Sequence, residues 1–198
     1  MQLILASTSK YRRQMLERLG IPFEVIAPGV DETPRKNETP FLLARRLSLA
    51  KAHAVADQAN GRDWVVIGSD QTASIDGRTT LGKPETHENA TLQLKSASGR
   101  ELLFHSGLCV IRPSMQFSEV TSIEISVKFR QLNIAQIENY LQREKPYDCT
   151  GSAKIESLGI ALVERVNCPD PTALVGLPLI ALTDMLERAG LNVLDRES

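Results

Sequence analysis

A carboxylate, scattered cations and a hydroxyl-rich helix start are the side chains here with the means to hold an anion and move a proton beside it. The run Val65-Val66-Ile67-Gly68-Ser69-Asp70 passes from an apolar segment into small residues and then an acid. A buried strand delivers a polar group to its carboxyl end in this way, with Gly68 turning the backbone and Asp70 left at the rim of a sheet. Asp70 there is either a turn former or helix cap, or a general base or metal ligand. Farther along, Gly82-Lys83-Pro84 puts a cation on a short loop able to fold back over the same rim.

Near the start, residues 3 to 6 read as a strand, Ser7-Thr8-Ser9 as a turn and residues 10 to 19 as a helix stopped by Gly20. Strand, hydroxyl-rich turn and helix start together point free backbone N–H groups at an anion. Arg12 and Arg13 in the first turn oppose the helix dipole. They are either solvated or clamp a phosphate, and Arg12 shares a face with Met15, Leu16 and Leu19, so its stem should lean along the buried side. Lys51 falls on the apolar stripe Leu43, Leu47, Ala50 and Ala54 of a helix expected over residues 39 to 59. It either snorkels past the core or aims its ammonium at an internal anion. Asp31 and Glu32, adjacent in a Pro/Gly-punctuated loop, are either solvated or ligands of a hard divalent ion.

The elements that must position these groups alternate. Residues 21 to 26 and 64 to 67 read as strands, 85 to 97 as a helix, and 101 to 111 and 119 to 131 as long β stretches. In the last of these Ile123, Ile125, Val127 and Phe129 alternate with polar residues, the mark of a half-exposed antiparallel strand, so the sheet is expected to be mixed. Asn133 caps a helix to about 143, a strand follows over 160 to 166, and a helix over 177 to 189 closes the chain. His53, His87 and His105 show no zinc-type or triad spacing and read as structural.

At 198 residues the chain suits one domain, or two lobes sharing one sheet around a central cleft. A formal charge of -1 argues against a nucleic-acid coat or a basic membrane-surface helix, so any basic site is local. Cys109, Cys149 and Cys168 are odd in number and widely spaced, which suits reduced thiols in a cytoplasmic protein better than a disulfide framework. The start lacks a basic leader, and the longest later apolar run, 173 to 182, is too short and Pro-broken to span a bilayer.

In order along the chain stand Leu5-Ala6-Ser7-Thr8-Ser9 with Arg12-Arg13, Asp31-Glu32, Lys51-Ala52, Gly68-Ser69-Asp70, Gly82-Lys83-Pro84, a segment with Tyr140, Glu144, Asp148 and Gly151, and Val175-Gly176-Leu177-Pro178. In these motifs the chain closely resembles the Maf family of nucleoside triphosphate pyrophosphatases over nearly its whole length. Family members acting on dTTP and UTP usually carry Thr after the catalytic aspartate, Arg in the turn that holds Arg12 and Arg13, and Gln in the region of residue 156. This chain has Gln71, Tyr11 and Glu156 there and looks like the 7-methyl-GTP branch.

The resemblance implies an elongated mixed α/β fold related to the inosine triphosphate pyrophosphatases, and a homodimer. It also implies a divalent cation (magnesium, manganese or cobalt) and water attack that yields the nucleoside monophosphate and pyrophosphate. In that frame Asp70 is the general base or a metal ligand assisted by Glu32, while Ser7, Arg12, Lys51 and Lys83 hold the phosphates and Arg13 is a weaker candidate. Tyr11 can stack on the cationic 7-methylguanine, Glu156 can accept from its N1–H and amine, and Gln71 either touches the base or orders the loop. Two rival readings stay open: a pyrimidine or damaged-purine triphosphatase of the same family, and a nucleotide-gated binding protein that inhibits septum formation.

Overall fold

Alternating apolar residues and well-placed caps produce six strands and five α-helices among residues 1–58 and 62–195, the part of the chain described in this computed structural model. The strands are β1 (Gln2–Ala6), β2 (Phe23–Ile26), β3 (Trp64–Ser74), β4 (Glu101–Arg112), β5 (Phe117–Phe129) and β6 (Val163–Asn167). They form one sheet in the order β2-β1-β3-β4-β5-β6. β1 lies parallel to β2 and β3, and every later pairing is antiparallel, so the sheet is mixed as expected. Parallel neighbours need crossovers, which α1 (Lys10–Glu17) and α2 (Pro40–Ala56) supply. Three more helices follow: α3 (His87–Ala97), α4 (Ile134–Glu144) and α5 (Leu179–Arg188). Ser9, Thr39, Thr86 and Asn133 each accept a backbone N–H at a helix start, and Asn133 with Gln136 completes a capping box. Such caps are each worth about 1 kcal/mol.

The period of two along the central strands sorts the core into two faces. Leu3, Leu5, Val65, Ile67, Leu108 and Val110 pack under Leu16 of α1 and Leu182, Met185 and Leu186 of α5. Ile4, Ala6, Val66 and Cys109 face Ala52 and Val55 of α2. Toward the other end of β3 to β5, Ala73, Phe104, Ile125 and Val127 pack with Leu94 of α3 and Ile137 and Leu141 of α4.

Three sequence expectations change. β3 does not end at Ile67 and Gly68 does not turn: the strand runs on to Ser74, and Asp70 sits within it, paired with Gly107 of β4. The glycine serves close approach instead. A Cβ at Gly68 would lie 2.2 Å from the Ser48 carbonyl, and one at Gly107 would lie 2.2 Å from that of Ala44. α2 therefore rests a ridge of Ala44, Ser48 and Ala52 directly on the backbones of β3 and β4. The strand expected over 160 to 166 begins only at Val163, after a 3₁₀ turn at Leu158–Leu162. The helix expected over 39 to 59 runs from Pro40 to Ala56, and residue 59 lies outside the described part.

Candidate active site

β1 stops at Ala6, opposite Gly68, and that flank of β3 next meets backbone at an isolated bridge between Ala73 and Leu81. Asp70 lies between these two points, its carboxylate turned to the sheet face that carries α2 and Lys51. It is at the rim of β1 though inside its own strand, and it is buried. Next to it opens a cavity of about 720 Å³ whose wall includes Ser7, Arg12, Glu32, Lys51, Asp70 and Lys83. The close seat of α2 on Gly68 carries Lys51 into this wall. Its Nζ lies 2.6 Å from Asp70 Oδ1 and 2.6 Å from Glu32 Oε1. Lys51 is only 5% exposed, so of the two readings of this lysine the internal anion holds. A buried ammonium without such partners would cost several kcal/mol, on the order of 3 or more.

The α1 start lines the same cavity through Ser7, Thr8 and Ser9. Ser7 Oγ accepts the Ser9 amide at 3.1 Å, and Ser9 Oγ accepts that of Arg12 at 3.4 Å, which sets the turn into the helix. Arg12 leans inward as its helix face predicts, and its Nε donates to the Gly176 carbonyl at 3.0 Å. The same carbonyl lies 2.8 Å from Ser69 Oγ. Gly176 thus ties α1 to β3, at a φ of 104° that disfavours any side chain. Its motif is visible in the sequence, but its anchoring of Arg12 is not. Arg13 turns away and pairs with Glu17 at 3.0 Å on the exposed side, outside the cavity wall.

The charges meet at Glu32. Desolvation pushes its carboxyl up, but the bond to Lys51 and the charges of Lys51, Lys83 and Arg12 outweigh this and hold it below its usual range. Burial lowers the Arg12 guanidinium, against the opposing pull of Asp70 and Glu32. Lys83 is exposed on its loop and still faces the same cavity. The paired loop acids separate: Asp31 accepts the Thr33 amide at 2.9 Å and stays outside the wall, whereas Glu32 joins it.

Tyr11, Gln71 and Glu156 line the cavity as well. The Gln71 Nε2 faces Ser106 Oγ, the Ala173 carbonyl and the Leu174 carbonyl at 3.0 to 3.1 Å, so this amide orders the 173–175 turn. Glu156 is exposed, and its carboxyl is pushed up, first by desolvation at the wall and further by the charges of Glu144 and Asp148. Tyr11 keeps its proton, its phenol raised first by burial, and its Oη donates toward Asp148 at 3.3 and 3.4 Å. Sequence reasoning assigned no role to Asp148, which lies 137 residues from Tyr11. Burial pushes the Cys149 thiol up to about 12, which leaves it unreactive near neutrality.

A family described as "Maf-like protein" matches residues 2–189. The chain belongs to the Maf family. A 7-methyl-GTP pyrophosphatase of Burkholderia lata is 55% identical over 189 residues, covering 95% of this chain and 90% of that protein. One of Thiobacillus denitrificans is 53% identical over 192 residues, covering 97% and 94%. A crystal structure of a nucleoside-triphosphatase / dITP/XTP pyrophosphatase from Mycobacterium abscessus aligns with 73% of this chain and 96% of that one, at 15% identity and a TM-score of 0.42. That likeness is too slight to bear on the chemistry.

The Maf cavity offers a metal two carboxylates, Glu32 and Asp70, drawn to one point by Lys51. Among the described residues no cluster of three or more His, Cys, Asp or Glu side chains is placed to hold an ion. Two hard oxygen donors suit a magnesium-like cation that keeps water and takes phosphate oxygens, and do not suit a zinc-type cage. The histidines of this Maf chain lie elsewhere. His87 bridges Tyr147 Oη at 2.9 Å and Glu138 Oε2 at 2.8 Å, and none of the three lines the cavity. Among the described residues no helix is long and apolar enough to cross a membrane.

Proposed function

We propose that this chain hydrolyses 7-methyl-GTP to 7-methyl-GMP and pyrophosphate, by in-line attack of water on the α-phosphorus. The observation that carries the reading is the shared cavity: Ser7, Arg12, Lys51 and Lys83 surround the same space as Asp70, with Tyr11 and Glu156 in the same wall. The names of relatives at 53–55% identity point to the same substrate.

In this reading the cations and the α1 start grip the phosphates and offset charge that builds on leaving pyrophosphate. Asp70 Oδ1 is engaged by Lys51, which leaves Oδ2 to orient the attacking water and take its proton. A divalent cation held by Glu32 and Asp70 would supply a lowered water pKa and neutralise phosphate charge. The Tyr11 ring stacks on the cationic base, and Glu156 accepts from its N1–H and exocyclic amine. The chain acts as one catalytic unit in the cytoplasm, where its three free thiols stay reduced, and pairs as a homodimer.

The test is a panel of initial rates of pyrophosphate release, with magnesium, manganese or cobalt, on 7-methyl-GTP, GTP, UTP, dTTP and inosine triphosphate. The expected result is the highest kcat/KM for 7-methyl-GTP, with Asp70→Asn reducing turnover by about a hundredfold or more. A preference for UTP or dTTP overturns the substrate. Near-normal turnover of Asp70→Asn with metal present overturns the role of Asp70.

A further inference from the structure

Lys10 lies where a ligand's positive charge would be welcome. Its Nζ is 3.2 Å from Asp148 Oδ2 and 4.9 Å from the centroid of the Tyr11 ring. Tyr11 in turn donates its phenol toward the same carboxylate. All three side chains line the cavity that holds Asp70. A carboxylate and an aromatic face that share one ammonium form a receptor for a cation, the arrangement by which proteins hold quaternary and delocalised cations.

From this we infer that Asp148 and the Tyr11 ring form the subsite for the positively charged base, and that Lys10 fills it from within the chain as a built-in competitor. The inference rests on the 7-methyl-GTP reading above and adds two specificity-determining residues to it.

Three observations support the exchange. Lys10 and Asp148 have side chains 65% and 48% exposed, so their ion pair is of the weak surface kind and yields readily. The Asp148 carboxyl, although desolvation raises it, is held below its usual range by Lys10 and Cys149, and so presents a full negative charge. A methylated purinium spreads its charge over a flat ring and is less hydrated than an ammonium, so it gives up less water on meeting the Tyr11 face. The wall thus carries two sets of charges. Arg12, Lys51 and Lys83 gather around Glu32 and Asp70, while Asp148 and Glu156 raise an acidic field beside Tyr11. A ligand with an anionic tail and a cationic ring matches both.

The test compares kcat/KM for 7-methyl-GTP with that for GTP in wild type, Asp148→Asn and Lys10→Gln. The ratio is expected to fall about tenfold in Asp148→Asn, chiefly through KM. It is expected to rise several-fold in Lys10→Gln, where the internal competitor is gone. General damage to the loop would move both nucleotides alike and both variants the same way. A ratio within about twofold of wild type in either variant, or a shift of both in one direction, overturns the inference. Wild type without 7-methyl-GTP turnover would instead sink the underlying reading.

Discussion

Lys51 concentrates the cost and the use of charge in this molecule. It is buried, it faces two carboxylates at 2.6 Å each, and it belongs to the helix that sits tightest on the sheet. Removal of the ammonium leaves Asp70 buried with no cation in contact, which is the expensive half of breaking a buried pair. Lys51→Met is therefore expected to lower stability by about 3 kcal/mol in denaturant titrations and to reduce pyrophosphate release about a hundredfold or more. A variant that loses stability but keeps its turnover per folded molecule would assign Lys51 to structure alone. Arg12 and Arg13 show the same logic in reverse: adjacent in sequence, one reaches Gly176 at the cavity and the other a solvent-exposed Glu17.

The seat of α2 on β3 and β4 is the contact on which the cavity's geometry depends. Gly68 and Gly107 have no side chain, and Ala44, Ser48 and Ala52 are small, so helix and strand backbones meet directly. Gly107→Ala would place a methyl 2.2 Å from the Ala44 carbonyl, and backbone cannot step aside as a flexible side chain can. The expected loss is about 1–3 kcal/mol, read from the denaturation midpoint. Turnover of the folded fraction should also fall, because α2 carries Lys51; unchanged activity would show that the helix shifts without moving its lysine. The 170–180 turn is held in a comparable way. Asp170, buried, accepts the amides of Thr172 at 3.0 Å and Ile180 at 2.8 Å and so fixes the turn that presents Gly176 to Arg12.

Long strands carry the core from one half of the protein to the other. β3 contributes Val65 and Ile67 to the cluster under α1 and α5, Val66 to the one under α2, and Ala73 to the one under α3 and α4. Acid resistance is likewise distributed. Glu38, bonded to Arg46, is lowered from its usual 4.5 to about 2, and Asp63, bonded to Arg112, from 3.8 to about 2. Folded values below the unfolded ones mean that these groups stabilise the fold fully above their unfolded pKa. The contribution is lost as pH falls toward the folded pKa. The melting temperature is therefore expected to be level with respect to these pairs above about pH 5 and to drop between about pH 5 and pH 2. In Glu38→Gln the drop should be shallower, and an equally steep one would remove Glu38 from the account.

Local patterning was enough for the elements themselves. Period-two alternation, the cap at Asn133 and the stop at Gly20 depend on near neighbours, and so the mixed sheet and its flanking helices could be read from the chain. The position of Lys51 on an apolar stripe marked it as unusual but left a snorkelling stem and an internal anion both open, and only its burial beside two carboxylates decides between them. The partner's identity, the strand that continues through Gly68, the parting of Asp31 from Glu32 and the meeting of Tyr11 with Asp148 were not readable in this way. Each depends on which backbones approach across the fold, at Ser48 over Gly68 and at the loop after α4 beside the start of α1. No local rule encodes a contact between residues 137 positions apart.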